Sequence, residues 1–183
     1  MLAAEYNVLQ NQYRKEIHMC GRFTRVTDIT TLQRRFSFKF DNLHAVSEFN
    51  IAPTQQILTV MNDGKNKAIY MHWGLIPSWA RNPSVGTKMI NARAETLIEK
   101  PSFHSAFRWR RCLILADSFY EWKKTDNANI PLRFMLRSGE PFAMAGLWDT
   151  WKDSEHSHIF SCTIVTTDSN ALVKPIHNRM PVI

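Results

Sequence analysis

The sequence predicts an α+β fold: a single domain built on curved, mainly antiparallel, barrel-like β-sheet with a few short helices. Three observations carry that expectation. Short runs rich in Val, Ile, Phe, Tyr, Trp and Thr recur along the chain. Turn residues separate them, most clearly at Asn62-Asp63-Gly64. Segments with a helical period are few and brief. Many short strands with little helix call for antiparallel sheet that curves to bury one face.

The elements follow in order. Residues 1–18 have no strong helix or strand period. Asp28 supplies a capping carboxylate for a short helix through Phe36, with Leu32 and Phe36 on its inner side. Residues 56–61 and 67–73 read as the two strands of a hairpin across the Asn62-Asp63-Gly64 turn. Residues 73–86, punctuated by Gly, Pro and Asn, predict a loop. A helix is expected over 92–100, and Pro101 opens another that reaches Arg108. Further strands are expected at 111–116, 119–123, 132–136, 142–148 and 159–166, with a short helix from Asp168. The chain stops at Ile183 within an apolar run, which predicts a further C-terminal portion beyond it.

The chain has 183 residues, of which 44% are hydrophobic and 21% charged. That suits one domain with a real core and argues against disorder. Lys and Arg number 23 against 16 Asp and Glu, a formal charge of +7, and the pI is about 9.5. This excess favours a polyanionic partner, nucleic acid before membrane, although a solvated basic surface has the same composition. No stretch approaches the roughly 20 apolar residues of a membrane span. The N-terminus lacks a basic start followed by an apolar run, so a cytoplasmic protein is expected.

There are three cysteines: Cys20, Cys112 and Cys162. An odd, low count argues against a disulfide framework, and no CxxC or paired-His spacing points to a metal. Neither metal nor organic cofactor is expected. Cys112 in RCLILA and Cys162 in FSCTIV belong to apolar strand-like runs and read as buried structural thiols. Cys20 differs, since it follows Met19 and precedes Gly21-Arg22. A chain starting at Met19 exposes Cys20 once the methionine is removed. Arg14-Lys15-Glu16, encodable by a purine-rich run two codons upstream, suits a bacterial ribosome-binding site for such a start. A genuine 18-residue extension, removed by the protein itself, is the alternative. An N-terminal cysteine carries an amine of pKa about 7.7–8.0 and a thiol of about 8.5 on adjacent carbons. An aldehyde condenses with the amine, and the thiol then closes a thiazolidine. Taken alone, the pentapeptide fits an internal strand cysteine better.

The blocks MCGRF (19–23), NIAPTQ (50–55), WGLIPSWA (73–80), INARAET (90–96), RRCLILADSFYEW (110–122) and IHNRMPV (176–182) resemble, in this order, the SRAP family. Its members are the SOS-response-associated peptidases, regarded as abasic-site processing proteins. The resemblance covers 19–183, with residues 1–18 left as a leader or a misassigned start. Leu115, Ser118 and Asn178 depart from the residues many relatives carry there, Pro, Gly and Asp, without removing a reactive group.

The resemblance implies roles residue by residue. Cys20 matches the crosslinking cysteine. Asn91 matches an asparagine that orients the cysteine and the opened sugar, for which an amide both donates and accepts. Glu121 matches an acid/base carboxylate, and its setting between Tyr120 and Trp122 favours a raised pKa. Alternation in FYEW equally permits Glu121 to face water. His177 matches a histidine that moves protons in ring opening and in strand cleavage. For DNA, Arg22, Arg93 and Arg179 flank reactive residues and suit phosphates. Trp73 and Trp122 offer stacking surfaces, Pro53 a wedge and Thr166 a polar contact. Core packing is the competing reading for the tryptophans.

The implied function is to sense and shield abasic sites in single-stranded DNA by a covalent link through Cys20, with weak lyase activity and self-processing, and a monomer is the expected state. Two alternatives stay open: a cysteine peptidase acting on its own leader or other peptides, and a non-covalent single-strand binding module.

Overall fold

The computed structural model describes residues 2–6, 20–40, 46–153, 155 and 157–183. Met19, and the rest of the leader apart from residues 2–6, lie outside the described residues. Among the described residues, twelve strands and two α-helices run in the order β1 (Leu2–Tyr6), β2 (Arg22–Arg25), α1 (Ile29–Phe36), β3 (Glu48–Ile51), β4 (Gln56–Met61), β5 (Ala68–Trp73), β6 (Asn91–Arg93), α2 (Pro101–Trp109), β7 (Arg111–Ala116), β8 (Ser118–Lys124), β9 (Asn129–Leu136), β10 (Phe142–Lys152), β11 (His158–Asp168) and β12 (Arg179–Pro181).

The expected α+β class holds, with the barrel-like sheet realised as a closed ring. Strands β10-β7-β4-β5-β11 pair in sequence, and β11 pairs back onto β10, which closes the circle. Closure removes the free edges that an open sheet of this size exposes. The ring is mostly antiparallel, but β11 runs parallel to β5 and to β6. A second sheet, β1-β9-β8-β2-β3, is antiparallel throughout. One apolar core joins the two, containing Phe23, Ile57, Met71, Trp73, Ile114, Phe119, Phe134, Cys112 and Cys162. The two structural cysteines are thus buried and unbridged.

Local chemistry explains most boundaries. The Asp28 side chain accepts from Thr31 N at 2.9 Å and starts α1, which ends at Ser37 in the left-handed region. Strand β4 is apolar on both faces because Ile57 enters the main core while Leu58 and Val60 pack under α1 with Leu32.

Four expectations are corrected. Residues 92–100 do not form a helix: Asn91–Arg93 pairs in parallel with Ile164–Thr166, and only a 3-10 turn, Ala94–Thr96, follows. Pairing to a buried neighbouring strand outweighs helix propensity over so few residues. No helix starts at Asp168, because β11 extends to that residue to pair with β12. Residues 73–86 are not loop throughout, since a 3-10 helix, Pro83–Lys88, begins within them. Residues 2–6, without a legible period, pair with β9 as an added edge strand. Strands β2 and β3 were also illegible, being four residues each.

The loop after β5 is pinned by two touching glycine backbones. A Cβ on Gly74 (φ 139°) would stand 2.5 Å from the Gly86 carbonyl oxygen. Gly64, also at positive φ, has open space around it. Gly64→Ala is therefore expected to cost only the backbone term, about 1 kcal/mol. Gly74→Ala adds a clash with fixed backbone and is expected to cost about 3 kcal/mol or more. Urea unfolding of both variants checks this, and equal losses would refute the contact.

Candidate active site

Strand register decides where Glu121 points. Phe23 pairs with Phe119 and Arg22 with Tyr120, so Phe119 and Glu121 share the face of β8 that meets the core. Glu121 is accordingly 0% exposed. Tyr120 and Trp122 share the opposite face, their rings 6.5 Å apart. The carboxyl is thus buried, but not by the rings that flank it in sequence.

The nearest group to that carboxyl is the nitrogen of Cys20. Cys20 N donates to Glu121 Oε1 at 2.8 Å, across 101 residues of chain. Cys20 itself is 2% exposed and holds φ at 47°, a left-handed conformation that side chains other than glycine adopt at a cost of about 1–2 kcal/mol. Strain of this kind at a reactive residue is a recurring feature of functional sites.

Electrostatics couples four residues here. Burial pushes the Glu121 carboxyl above its ordinary range; the Cys20 N–H and the nearby His177 imidazole pull in the opposite direction. The Cys20 thiol is pushed well up, first by burial and then by the charge of Glu121, and Arg179 partly offsets this. His177 Nδ1 accepts from Arg179 N at 3.1 Å. In the tautomer that accepts there, the ring proton is on Nε2.

Arg179 anchors the segment that brings His177 in. Its guanidinium donates to Glu95 Oε1 and Oε2 at 2.8 Å, to Asp168 Oδ1 at 2.7 Å and to the Thr166 carbonyl at 2.7 Å. The Arg179 hydrogen bond holds the Glu95 carboxyl down at about 2. Asn91 begins β6, and the preceding carbonyl, of Ile90, accepts from Trp73 Nε1 at 2.9 Å. Trp73 in turn packs edge-on against Phe23, at 5.2 Å. This chain of contacts ties β6 to the strand that starts beside Cys20.

Of the expected catalytic residues, Cys20, Glu121 and His177 are drawn together, and Asn91 stands at the start of β6, alongside β11. The expected DNA contacts divide. Arg22 and Trp122 share the outer face of the second sheet with Tyr120, and Arg22 Nη1 donates to Asn50 Oδ1 at 2.7 Å. Arg93 is exposed, and Pro53 is half-buried at the start of the turn before β4. Three others are corrected. Trp73 is fully buried in the core and offers no face for a base. Thr166 is fully buried against β6. Arg179 is buried with its guanidinium committed to two carboxylates, so it builds the site and is not a free phosphate grip. In the same block as Trp73, Trp79 is 65% exposed. A period-2 count from Trp73 at the strand end could not reach it through the intervening loop. Among the described residues, no group of three or more His, Cys, Asp or Glu is placed to hold a metal ion, and no helix is long and apolar enough to cross a membrane.

The raised Glu121 pKa makes stability depend on pH. The folded state keeps a proton that the unfolded chain loses above about pH 4.3, so stability falls as pH rises from there through the folded pKa. Glu121→Gln keeps an acceptor for Cys20 N–H and removes this titration. The melting temperature of the variant relative to the parent is expected to climb between pH 4 and pH 8. A pH-independent difference would overturn the assignment.

Comparison with known proteins places this architecture. The chain is 47% identical over 171 residues to abasic site processing protein YoqW of Bacillus subtilis, covering 90% of this chain and 75% of that protein. It is 32% identical over 152 residues to abasic site processing protein HMCES of Rattus norvegicus, covering 66% of this chain and 43% of that one. A crystal structure of a Bacteroides thetaiotaomicron protein superposes with a TM-score of 0.82 at 25% identity, over 88% of this chain and 75% of that chain. A Bordetella bronchiseptica protein gives 0.78 at 25% identity, over 90% and 83%. The family model described as SOS response associated peptidase (SRAP) matches residues 19–183. With that match added to the relatives above, the chain belongs to the SRAP family.

Proposed function

We propose that this protein processes abasic sites in single-stranded DNA, as a monomer, by forming a covalent link through Cys20. The observation that carries the reading is the 2.8 Å contact between the Cys20 nitrogen and the buried Glu121 carboxyl. Once the residues ahead of Cys20 are gone, that nitrogen is an ammonium beside a carboxylate in a low-dielectric site. Glu121 then takes its proton and frees the amine as a nucleophile. The amine adds to the C1′ aldehyde of the opened sugar. Glu121 returns the proton to the departing hydroxyl, which leaves as water. The Cys20 thiol adds to the resulting imine carbon, and its proton passes to the imine nitrogen as the thiazolidine closes. The net change is one water lost.

His177, with Nδ1 held by a backbone N–H, offers Nε2–H to the sugar ring oxygen and assists its opening. Asn91 orients the opened sugar. Arg22 and Arg93 engage phosphates, Trp122 and Trp79 offer stacking surfaces, and Pro53 is placed to wedge the strand. The imine stage also permits β-elimination, which accounts for a weak lyase activity. A peptidase acting on foreign peptides needs an accessible thiolate. The burial of Cys20 and its raised thiol pKa favour the amine-first chemistry instead.

Protein beginning at Cys20, incubated with an oligonucleotide carrying one abasic site, is expected to give a shifted band on a denaturing gel. Cys20→Ala abolishes the band. A chain that keeps the residues ahead of Cys20 is expected to bind the DNA but not to crosslink, because its nitrogen is an amide. Equal crosslinking by both forms would defeat the amine mechanism. Binding should also weaken steadily with salt as phosphate contacts release counterions.

A further inference from the structure

Strand β3 carries a feature that the reaction leaves unused. Phe23 pairs with Ile51 and Arg25 with Glu48, so two residues of β3, Phe49 and Asn50, face one residue of β2. This is a β-bulge, and bulges beside active sites commonly re-aim side chains. Here both residues of the bulge, Phe49 and Asn50, face solvent. Asn50 holds Arg22 at 2.7 Å, and Phe49 presents its ring 70% exposed, with Val46 also exposed nearby. A bare phenyl ring on the outermost strand of a sheet is an aggregation hazard that proteins usually avoid. Its neighbours give it a use. Across the sheet the order is Trp122 and Tyr120 on β8, Arg22 on β2, then Asn50 and Phe49 on β3. Adjacent strands lie about 4.8 Å apart, so Tyr120 and Phe49 stand on the strands either side of Arg22, their backbones about 10 Å apart. Arg22 is only two residues from Cys20.

We propose that Phe49 is a stacking platform for an unpaired base next to the abasic site, working with Arg22 on the intervening phosphate. The inference rests on the DNA reading above and adds a specificity-determining residue to it. An aromatic face accepts any base, so the contact favours single-stranded over paired DNA without selecting sequence. The bulge is what makes this possible: regular pairing would turn one of the two residues inward, and either the ring or the Asn50 support of Arg22 would be lost.

The test uses protein beginning at Cys20, with Phe49→Ala and Phe49→Trp. Because the ring is exposed, both variants should keep the parent melting temperature. Crosslinking is followed against concentration of an oligonucleotide with one abasic site. Phe49→Ala is expected to raise the half-saturating DNA concentration about tenfold while leaving the rate at saturation unchanged. Phe49→Trp restores it. Oligonucleotides without an abasic site, carrying 2-aminopurine at one position, read the contact independently by quenching, which Phe49→Ala should relieve. Replacing the neighbouring base by a base-free spacer should erase the difference between parent and Phe49→Ala. An unchanged half-saturation and unchanged quenching in Phe49→Ala would overturn the proposal. If the parent itself forms no crosslink, the covalent reading fails, while the quenching titration still decides whether Phe49 holds a base.

Discussion

A single hydrogen bond, from the nitrogen of Cys20 to the carboxyl of Glu121, organises this molecule. It spans 101 residues and lies where water does not reach. A buried carboxyl without a partner is costly, so the positions of β2 and β8 must hold to a fraction of an ångström. The pairing of Arg22 with Tyr120 and Phe23 with Phe119 does that holding. The core contact of Phe23 with Trp73 then ties β2 to the barrel, and the stacking of Phe119 on Phe134 ties β8 to β9.

His177 and Arg179 complete the surroundings of that contact. Burial raises the Glu121 carboxyl pKa, and the Cys20 N–H and then His177 pull it back. The His177 ring is oriented by the Arg179 backbone, and Arg179 is immobilised by Glu95, Asp168 and Thr166. Arg179 is a strut that connects β12 to β11 and to the 3-10 turn after β6. Its two carboxylate partners differ in exposure, which leaves the charge paired without burying a full ion triad.

Long β-strands were legible because side-chain alternation and turn chemistry are local. Residues 56–61, 68–73, 111–116 and 142–148 needed no knowledge of the rest of the chain. The short pieces were not legible. Asn91–Arg93 and Arg179–Pro181 are strands only because β11 lies alongside, and three residues hold too little pattern to declare themselves. The expected helix over 92–100 failed for that reason. The tryptophans teach the same lesson: Trp73 and Trp79 lie in one sequence block, yet one is core and the other is surface.

The sequence by itself determined the chemical inventory: a cysteine directly after a methionine, a carboxylate, an imidazole, an amide and an excess of basic side chains. It also determined the strand-rich character, since periodicity is written in neighbouring residues. Only the tertiary structure decided which way each group points. A period of two says that Glu121 and Trp122 face opposite sides but not which side is inside. That choice is made by register against a strand a hundred residues away, because burial is a property of what packs on a face and not of the strand that owns it.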